Sequence, residues 1–162
     1  MTDATFDRPA VAVFPPVIPL TTFAVACVLQ WLVPLGWIDG LASPLRFGIG
    51  AVITLSGLLT TSAGRRALIR SGTNVSPSQP AVRLVTDGVF GYTRNPLYVV
   101  VSIALCGLAL ILDLDWILLL IVPSFLLLHF AVVRREERYL EQKFGDAYRR
   151  YKARVPRYFV GN

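Results

Sequence analysis

The chain has 162 residues, 54% of them hydrophobic and 16% charged, with a formal net charge of +6. This length fits one domain, and soluble domains carry about 25% charged residues, so the composition argues against an ordinary soluble protein. The two cysteines, Cys27 and Cys106, lie within apolar runs, which argues against a disulfide framework and against a metal site. The basic charge suits either nucleic acid or an anionic membrane surface, and its distribution decides between them.

Four apolar stretches can span a bilayer core, which needs about 20 helical residues, with shorter spans tolerated by local thinning. They run over Pro16–Val33, Leu45–Ala63, Pro96–Leu112 and Trp116–Val133. Asp113 and Asp115 separate the last two, which predicts a tight helical hairpin with both aspartates in a solvated loop. The sequence therefore predicts an all-α membrane protein with four transmembrane helices and a cytoplasmic, amphipathic helical tail at the C-terminus.

Most basic residues lie in two segments, 64–95 between the second and third spans and 134–162 after the fourth, whereas Arg46 alone lies on the other side, where the second span begins. By the positive-inside rule, both segments and both termini are cytoplasmic. We therefore expect an integral protein of a prokaryotic cell membrane, in contact with membrane lipids and without a nucleic-acid partner. Gly145 predicts a break between two short helices in the tail. The single domain 1–162 would comprise a first hairpin (1–63), a connecting segment (64–95), a second hairpin (96–133) and the tail (134–162).

Two polar clusters lie at the cytoplasmic boundary, one over 83–98 before the third span and one over 134–138 after the fourth. The hairpin between them predicts that five side chains share one pocket: Arg94, Asn95, Tyr98, Glu136 and Glu137. A cation, an amide, a phenol and carboxylates can hold a zwitterionic amino-acid head and a ribose. Backbone groups of Leu84 and Val85 can bind the edge of an adenine.

These residues resemble the isoprenylcysteine carboxyl methyltransferase and phospholipid methyltransferase family of membrane enzymes. The resemblance covers roughly 83–158 and is carried by Leu84-Val-Thr-Asp-Gly-Val-Phe90, Thr93-Arg-Asn-Pro-Leu-Tyr98, Glu136-Glu137, Phe144-Gly145, Tyr148, Tyr151 and Val155-Pro-Arg157. It implies that S-adenosylmethionine is bound by Leu84, Val85, Phe90, Asn95, Pro96, Leu97, Tyr98 and Glu136. We assign catalytic roles to Arg94, the matched arginine nearest the transfer site, and to Glu137.

The resemblance also implies a reaction, the transfer of a methyl group to a lipophilic acceptor that enters from the bilayer. Isoprenylcysteine-type carboxylates stand first as acceptors, and phospholipid amines and small hydrophobic thiols remain open. Two other classes also remain: a sterol-reductase-like oxidoreductase and a non-catalytic membrane interaction module. Eukaryotic family members place a substrate-contacting arginine four residues before the glutamate, where this chain has Val132, so Arg134 and Arg135 are the candidates to replace it.

Several polar residues also fit simpler interpretations. Glu137 fits a solvated helical charge ladder as well as it fits a catalytic role. Tyr148 and Tyr151 are interpreted as interfacial aromatic residues rather than catalytic ones. His129 lies in the inner part of the fourth span and is either functional or a neutral histidine bonded to a neighbouring helix. The sequence leaves the oligomeric state open.

Overall fold

The computed structural model describes residues 9–76 and 79–159, and this part of the chain consists of helices and loops without β-strands. Its five helices are α1 (Val17–Leu32), α2 (Ser43–Arg70), α3 (Pro96–Leu112), α4 (Asp115–Phe144) and α5 (Asp146–Arg154). A short 3-10 turn, Gly88–Gly91, precedes α3. The prediction of an all-α fold is thereby confirmed, as is the tight hairpin between α3 and α4.

Helix α4 continues through residues that the sequence predicts to be a separate tail helix. It is α-helical over Asp115–Leu128, forms one π-helical turn over His129–Val133, and is α-helical again over Arg134–Phe144. Gly145, with a φ of 52° that glycine adopts readily, then separates α4 from α5. The two predicted tail helices are therefore the end of α4 and the short helix α5.

Glycines set the packing of α2 against α3. Gly50, Gly57 and Gly64 recur every seven residues and are the buried residues of α2. A Cβ atom on Gly57 would lie 2.9 Å from the Ala104 Cβ, and one on Gly64 would lie 2.8 Å from the Leu97 Cδ2. Only glycine permits so close an approach, which places the C-terminal end of α2 beside the first turn of α3.

A buried carboxylate organises the opposite end of the helices. Asp115 is 1% exposed and accepts hydrogen bonds from the backbone N–H groups of Gly36 and Ile38, both at 2.9 Å. The side-chain amide of Gln30 donates a third hydrogen bond at 3.1 Å. The prediction of a solvated loop is wrong for Asp115, because its carboxylate holds the chain between α1 and α2 against the start of α4. Asp113 is half-buried and forms an ion pair with Arg46.

The outer faces of the helices are apolar. Helices α2 and α4 are long and apolar enough to cross a membrane, and α1 and α3 are shorter apolar helices of 16 and 17 residues. Large side chains on these helices stay exposed, among them Leu20, Trp31, Val52, Leu59 and Val122. Soluble monomers rarely expose large contiguous apolar surface, so these faces favour lipid as their surroundings.

Candidate active site

A polar cavity lies between the chain preceding α3, the end of α4, and α5. It encloses about 830 Å³, including the part that is open to solvent. All ten residues singled out from the sequence line it: Leu84, Val85, Phe90, Arg94, Asn95, Pro96, Leu97, Tyr98, Glu136 and Glu137. The fold thus brings the predicted residues together, and their individual roles stay predictions.

The loop before α3 is tied to the C-terminal segment. The Thr93 hydroxyl, which is 1% exposed, donates to the carbonyl oxygen of Arg157 at 2.9 Å. The backbone N–H of Arg94 donates to the carbonyl oxygen of Pro156 at 3.0 Å. Pro96 then begins α3 at the position where its missing N–H has no consequence. These contacts fix the direction in which Asn95 and Tyr98 enter the cavity.

Glu137 is the centre of a buried network of charges. Its Oε1 accepts hydrogen bonds from the Arg94 Nε at 3.1 Å and the Asn95 Nδ2 at 3.2 Å. Its Oε2 accepts one from the Arg157 Nε at 2.9 Å. Glu137 is only 6% exposed, so the interpretation as a solvated charge ladder is wrong. Its carboxylate joins the loop before α3 to the C-terminal segment.

The charge state of Glu137 follows from these partners. Burial alone would raise the pKa of its carboxyl, but the hydrogen bond from Arg157 and the positive charges of Arg94 and Arg157 outweigh burial and hold the pKa below its usual range. Arg94 also donates to the carbonyl oxygens of Lys152 at 2.8 Å and Val155 at 3.0 Å. The guanidinium is therefore engaged largely with the protein itself.

Glu136 differs from its neighbour. The Tyr98 hydroxyl donates to its Oε2 at 2.7 Å, and no cation of the described chain pairs with it. Burial raises the pKa of Glu136, the nearby charge of Glu137 raises it further, and the hydrogen bond from Tyr98 opposes both effects. Glu136 is thus the carboxylate at this site that still lacks a positive partner.

Tyr148 is a cavity residue to which the sequence motifs assign no role in the site. It is 1% exposed, lines the cavity, and its hydroxyl has no hydrogen-bond partner in the described chain. Tyr151, 3% exposed, donates to the Phe90 carbonyl oxygen at 2.7 Å. The interpretation of both as interfacial residues is therefore wrong. The recurrence of Leu140, Phe144, Tyr148 and Tyr151 on one helical face is the signal that could have indicated burial.

The chain between α2 and α3 supplies a further wall of the cavity. Thr73, Asn74, Val75, Ser76 and Gln79 line it, together with Ala81. The backbone N–H of Ala81 donates to the Tyr139 hydroxyl of α4 at 3.0 Å, which holds this segment over the cavity. The segment has no helical or strand periodicity, so its position over the cavity could not be predicted from its residues.

A second, apolar groove runs between α1 and the helices α2, α3 and α4, with a volume of about 1,780 Å³ that includes space open to solvent. Its walls include Leu20, Phe23, Val101, Leu105 and Leu128. Four residues line both this groove and the polar cavity: Val75, Ser76, Leu97 and Tyr98. The two spaces therefore adjoin at the first turn of α3.

The residues considered as replacements for the missing arginine lie elsewhere. Val132 is fully buried and packs with Ile18 and Leu128. Arg134 and Arg135 are exposed and line a separate basic depression with Arg138 and Phe130. Neither arginine lines the polar cavity or the apolar groove.

His129 occupies the start of the π-helical turn. Its Nδ1 lies 2.7 Å from the Tyr158 hydroxyl, in the segment that follows α5. The side chain is thus hydrogen-bonded, as one of the two interpretations expects, although its partner belongs to no helix.

Comparison with known proteins places the chain in a family. The model of a family described as phospholipid methyltransferase matches residues 45–147, more than half of the chain. The chain therefore belongs to the phospholipid methyltransferase family, as its motifs predict.

One curated relative is the protein-S-isoprenylcysteine O-methyltransferase of Schizosaccharomyces pombe, which is 36% identical over 74 residues. The match covers 45% of this chain and 31% of the relative, so the chain aligns with about a third of that protein. No solved structure matches the chain.

Proposed function

We propose that the chain is an S-adenosylmethionine-dependent methyltransferase that methylates a lipophilic acceptor, of the isoprenylcysteine carboxylate type, at a membrane. The observation that carries the proposal is the junction of two unlike spaces at Tyr98. A polar cavity with an unpaired carboxylate adjoins an apolar groove whose helices carry lipid-compatible faces. The name of the fission-yeast relative supports the same chemistry.

The residues around the polar cavity fit S-adenosylmethionine. Glu136, which has no cation partner in the described chain, suits the positive amino-acid head or the ribose hydroxyls. The orphaned Tyr148 hydroxyl offers a hydrogen-bond donor inside the cavity. The backbone of Leu84 and Val85 takes part in no hydrogen bond within the described chain, which leaves it open to an adenine edge. These three features are open to a polar ligand, and buried polar groups in proteins are normally hydrogen-bonded.

The protein contributes to the reaction by aligning the reactants and by excluding water. When bound, the cofactor supplies a methyl group on a positively charged sulfur, and its transfer to an acceptor oxygen breaks the carbon–sulfur bond and leaves a neutral thioether. Aligning acceptor and donor can supply on the order of 7 to 11 kcal/mol. A carboxylate acceptor needs no general base, and the apolar groove excludes the water that would stabilise separated charges.

In this proposal Arg94 and Glu137 position the site rather than bind the acceptor. Both side chains are buried, and they bind each other and the C-terminal segment. Their ion pair fixes Asn95 and Tyr98 at the cavity wall. The catalytic roles that the sequence suggests for Arg94 and Glu137 are therefore replaced, in this proposal, by the positioning of Asn95 and Tyr98.

The membrane arrangement is part of the proposal. Helices α1, α2, α3 and the part of α4 up to Val133 are the four spans, with the polar cavity at the cytoplasmic boundary and the Asp115 end on the other side. The exposed apolar faces of the helices and the distribution of arginine support this arrangement. An acceptor with an apolar chain would then reach Tyr98 from the bilayer along the groove.

A phospholipid amine is the second candidate acceptor, because the family is described by phospholipid methylation. Labelled methyl transfer in proteoliposomes, supplied in turn with a prenylcysteine analogue, phosphatidylethanolamine and an alkyl thiol, separates the acceptors by their products. We expect label on the prenylcysteine analogue. Label on the lipid amine alone would replace the carboxylate assignment, and no label on any acceptor would refute the proposal.

Cofactor binding is tested separately by thermal stability. S-adenosylmethionine at a hundredfold excess over its dissociation constant should stabilise the fold by about 2.7 kcal/mol. Tyr148→Phe should reduce this stabilisation while leaving the ligand-free protein as stable as before, because the hydroxyl has no partner to lose. Stabilisation by nicotinamide dinucleotides instead would indicate an oxidoreductase. Binding without any methyl transfer would indicate a non-catalytic module.

A further inference from the structure

Among the residues that the structure describes, a single charged side chain lines the apolar groove, that of Arg65. The other residues that line it are apolar or carry hydroxyl groups. Arg65 is exposed, near the C-terminal end of α2, and it forms no ion pair or hydrogen bond within the described chain. A lone cation in an apolar groove is complementary to an anionic group on an otherwise apolar ligand.

The packing of α2 places Arg65 at the end of the groove that adjoins the polar cavity. Its neighbour Gly64 contacts the Leu97 side chain, and Leu97 precedes Tyr98 in the first turn of α3. Thr61, one turn earlier on the same face of α2, also lines the groove. Arg65 therefore lies at the level of the junction rather than deep between the helices.

Among the described arginines only Arg65 lines the groove, and Arg83 lines the polar cavity but not the groove. Arg94 is engaged by Glu137 and two backbone carbonyl groups. Arg134 and Arg135 line the separate basic depression. Arg66 and Arg70 share the end of α2 with Arg65 and are equally exposed, yet they line neither the groove nor the polar cavity.

We infer that Arg65 is the specificity residue for the acceptor and binds its carboxylate at the junction, while the apolar chain of the acceptor occupies the groove. This inference rests on the proposed function. The planar guanidinium matches both oxygens of a carboxylate, and apolar surroundings strengthen the pair. A cationic amine would be repelled at the same place. The positive side chain of Arg65 thus holds the acceptor on one side of Tyr98. The negatively charged Glu136 lies on the other side, in the polar cavity.

Binding measurements without turnover test Arg65 directly. The probes are an N-acetylated S-prenylcysteine and its methyl ester, which share the apolar chain and differ in the charge of the head. Their dissociation constants are measured on the full chain in nanodiscs with S-adenosylhomocysteine present. The wild-type protein should prefer the acid by roughly tenfold or more, the value of one charge-assisted contact.

Arg65→Gln should remove this preference, Arg65→Lys should keep part of it, and the matched control Arg66→Gln should behave as the wild type. Unchanged affinity for S-adenosylhomocysteine verifies that each variant is folded. If Arg65→Gln does not fold, the reduced preference of Arg65→Lys tests the inference in its place. Retention of the preference in Arg65→Gln, or an equal loss in Arg66→Gln, would overturn the inference.

A third probe, a prenyl phosphate, distinguishes the carboxylate from a phosphate. If Arg65→Gln weakens binding of the prenyl phosphate and leaves binding of the prenylcysteine carboxylate unchanged, Arg65 does not recognise the proposed acceptor. Because these binding measurements need no methyl transfer, they can refute the role of Arg65 without refuting the proposed activity. An Arg65-dependent preference for the acid in a protein that methylates nothing would refute the activity and retain the binding site.

Discussion

Arg94 and Glu137 form a buried ion pair across 43 positions of sequence, with the Arg94 Nε 3.1 Å from the Glu137 Oε1. Arg157 binds the other oxygen of the same carboxylate. Removing charges from water is unfavourable unless every group is well paired, and here the pairing joins three segments that are distant in sequence. The ion pair therefore determines where the loop before α3 lies relative to α4 and the C-terminal segment.

Glu137→Gln should destabilise the protein strongly, because Arg94 and Arg157 would then face a neutral amide. Breaking a buried pair in this way typically lowers the free energy of unfolding by about 3 to 5 kcal/mol. The matched control is Glu141→Gln, whose partner Lys152 lies 3.1 Å away with both side chains partly exposed. Its loss should amount to no more than about 1 kcal/mol. Denaturant unfolding in detergent gives both values, and equal losses would show that the buried network is not a structural centre.

The contribution of Glu137 should depend on pH in one direction. Its pKa is lower in the folded protein than the ordinary 4.5, so its stabilisation is present above that value and is lost as the pH falls through the lower folded value. The difference in unfolding free energy between wild type and Glu137→Gln should therefore shrink below about pH 4.5. A difference that grows in acid would mean that the carboxyl is not held ionised by Arg94 and Arg157.

The site was predictable from sequence where neighbouring residues determine the structure. The segment Thr93 to Tyr98 contains Pro96, which begins α3, and Asp113 ends that helix with a left-handed turn. A short hairpin necessarily returns Glu136 and Glu137 to the starting level of α3. The common location of these groups therefore follows from local rules and chain length.

Other features depend on contacts between distant residues and were not predictable. Arg94 has the same local sequence whether it faces an acceptor or Glu137, so its engagement could not be inferred. The spacing of Tyr148 could indicate its burial, but that its hydroxyl lacks a partner depends on how α5 packs against the loop before α3. Asp115 is buried only because the chain after α1 folds over the start of α4.

Gly57→Ala should destabilise the pairing of α2 with α3. The added Cβ would lie 2.9 Å from both the Ala104 Cβ and the Val100 carbonyl oxygen, and neither atom belongs to a flexible side-chain end. Overpacking of this kind typically lowers the free energy of unfolding by about 1 to 3 kcal/mol. Gly48→Ala is the matched control in the same helix, because its Cβ meets nothing within 4 Å. The thermal unfolding temperature should fall below that of the wild type only for Gly57→Ala, since alanine at an open helical position is not destabilising. A similar fall in both variants would show that close packing at Gly57 is not the cause.

Topology is testable with single cysteines in a variant that lacks Cys27 and Cys106. A cysteine at Gly40, which is exposed between α1 and α2, should react with an impermeant reagent in intact cells. One at Arg149, exposed on α5, should react only after permeabilisation. The reverse pattern would invert the proposed orientation. Position 115 is unsuitable for this purpose because its side chain is buried.

Glu136→Gln should separate folding from cofactor binding. The pKa of Glu136 is raised in the folded protein, so its ionised form opposes folding above the ordinary value of 4.5. The glutamine can still accept the Tyr98 hydrogen bond, and the ligand-free variant should be at least as stable as the wild type at neutral pH. Binding of S-adenosylmethionine should nevertheless weaken by roughly 1.5 to 3 kcal/mol, because a charge-assisted contact is lost. Calorimetric unfolding and titration on the same samples measure both quantities. A variant that is less stable but binds normally would show that Glu136 supports the fold and that the cofactor lies elsewhere.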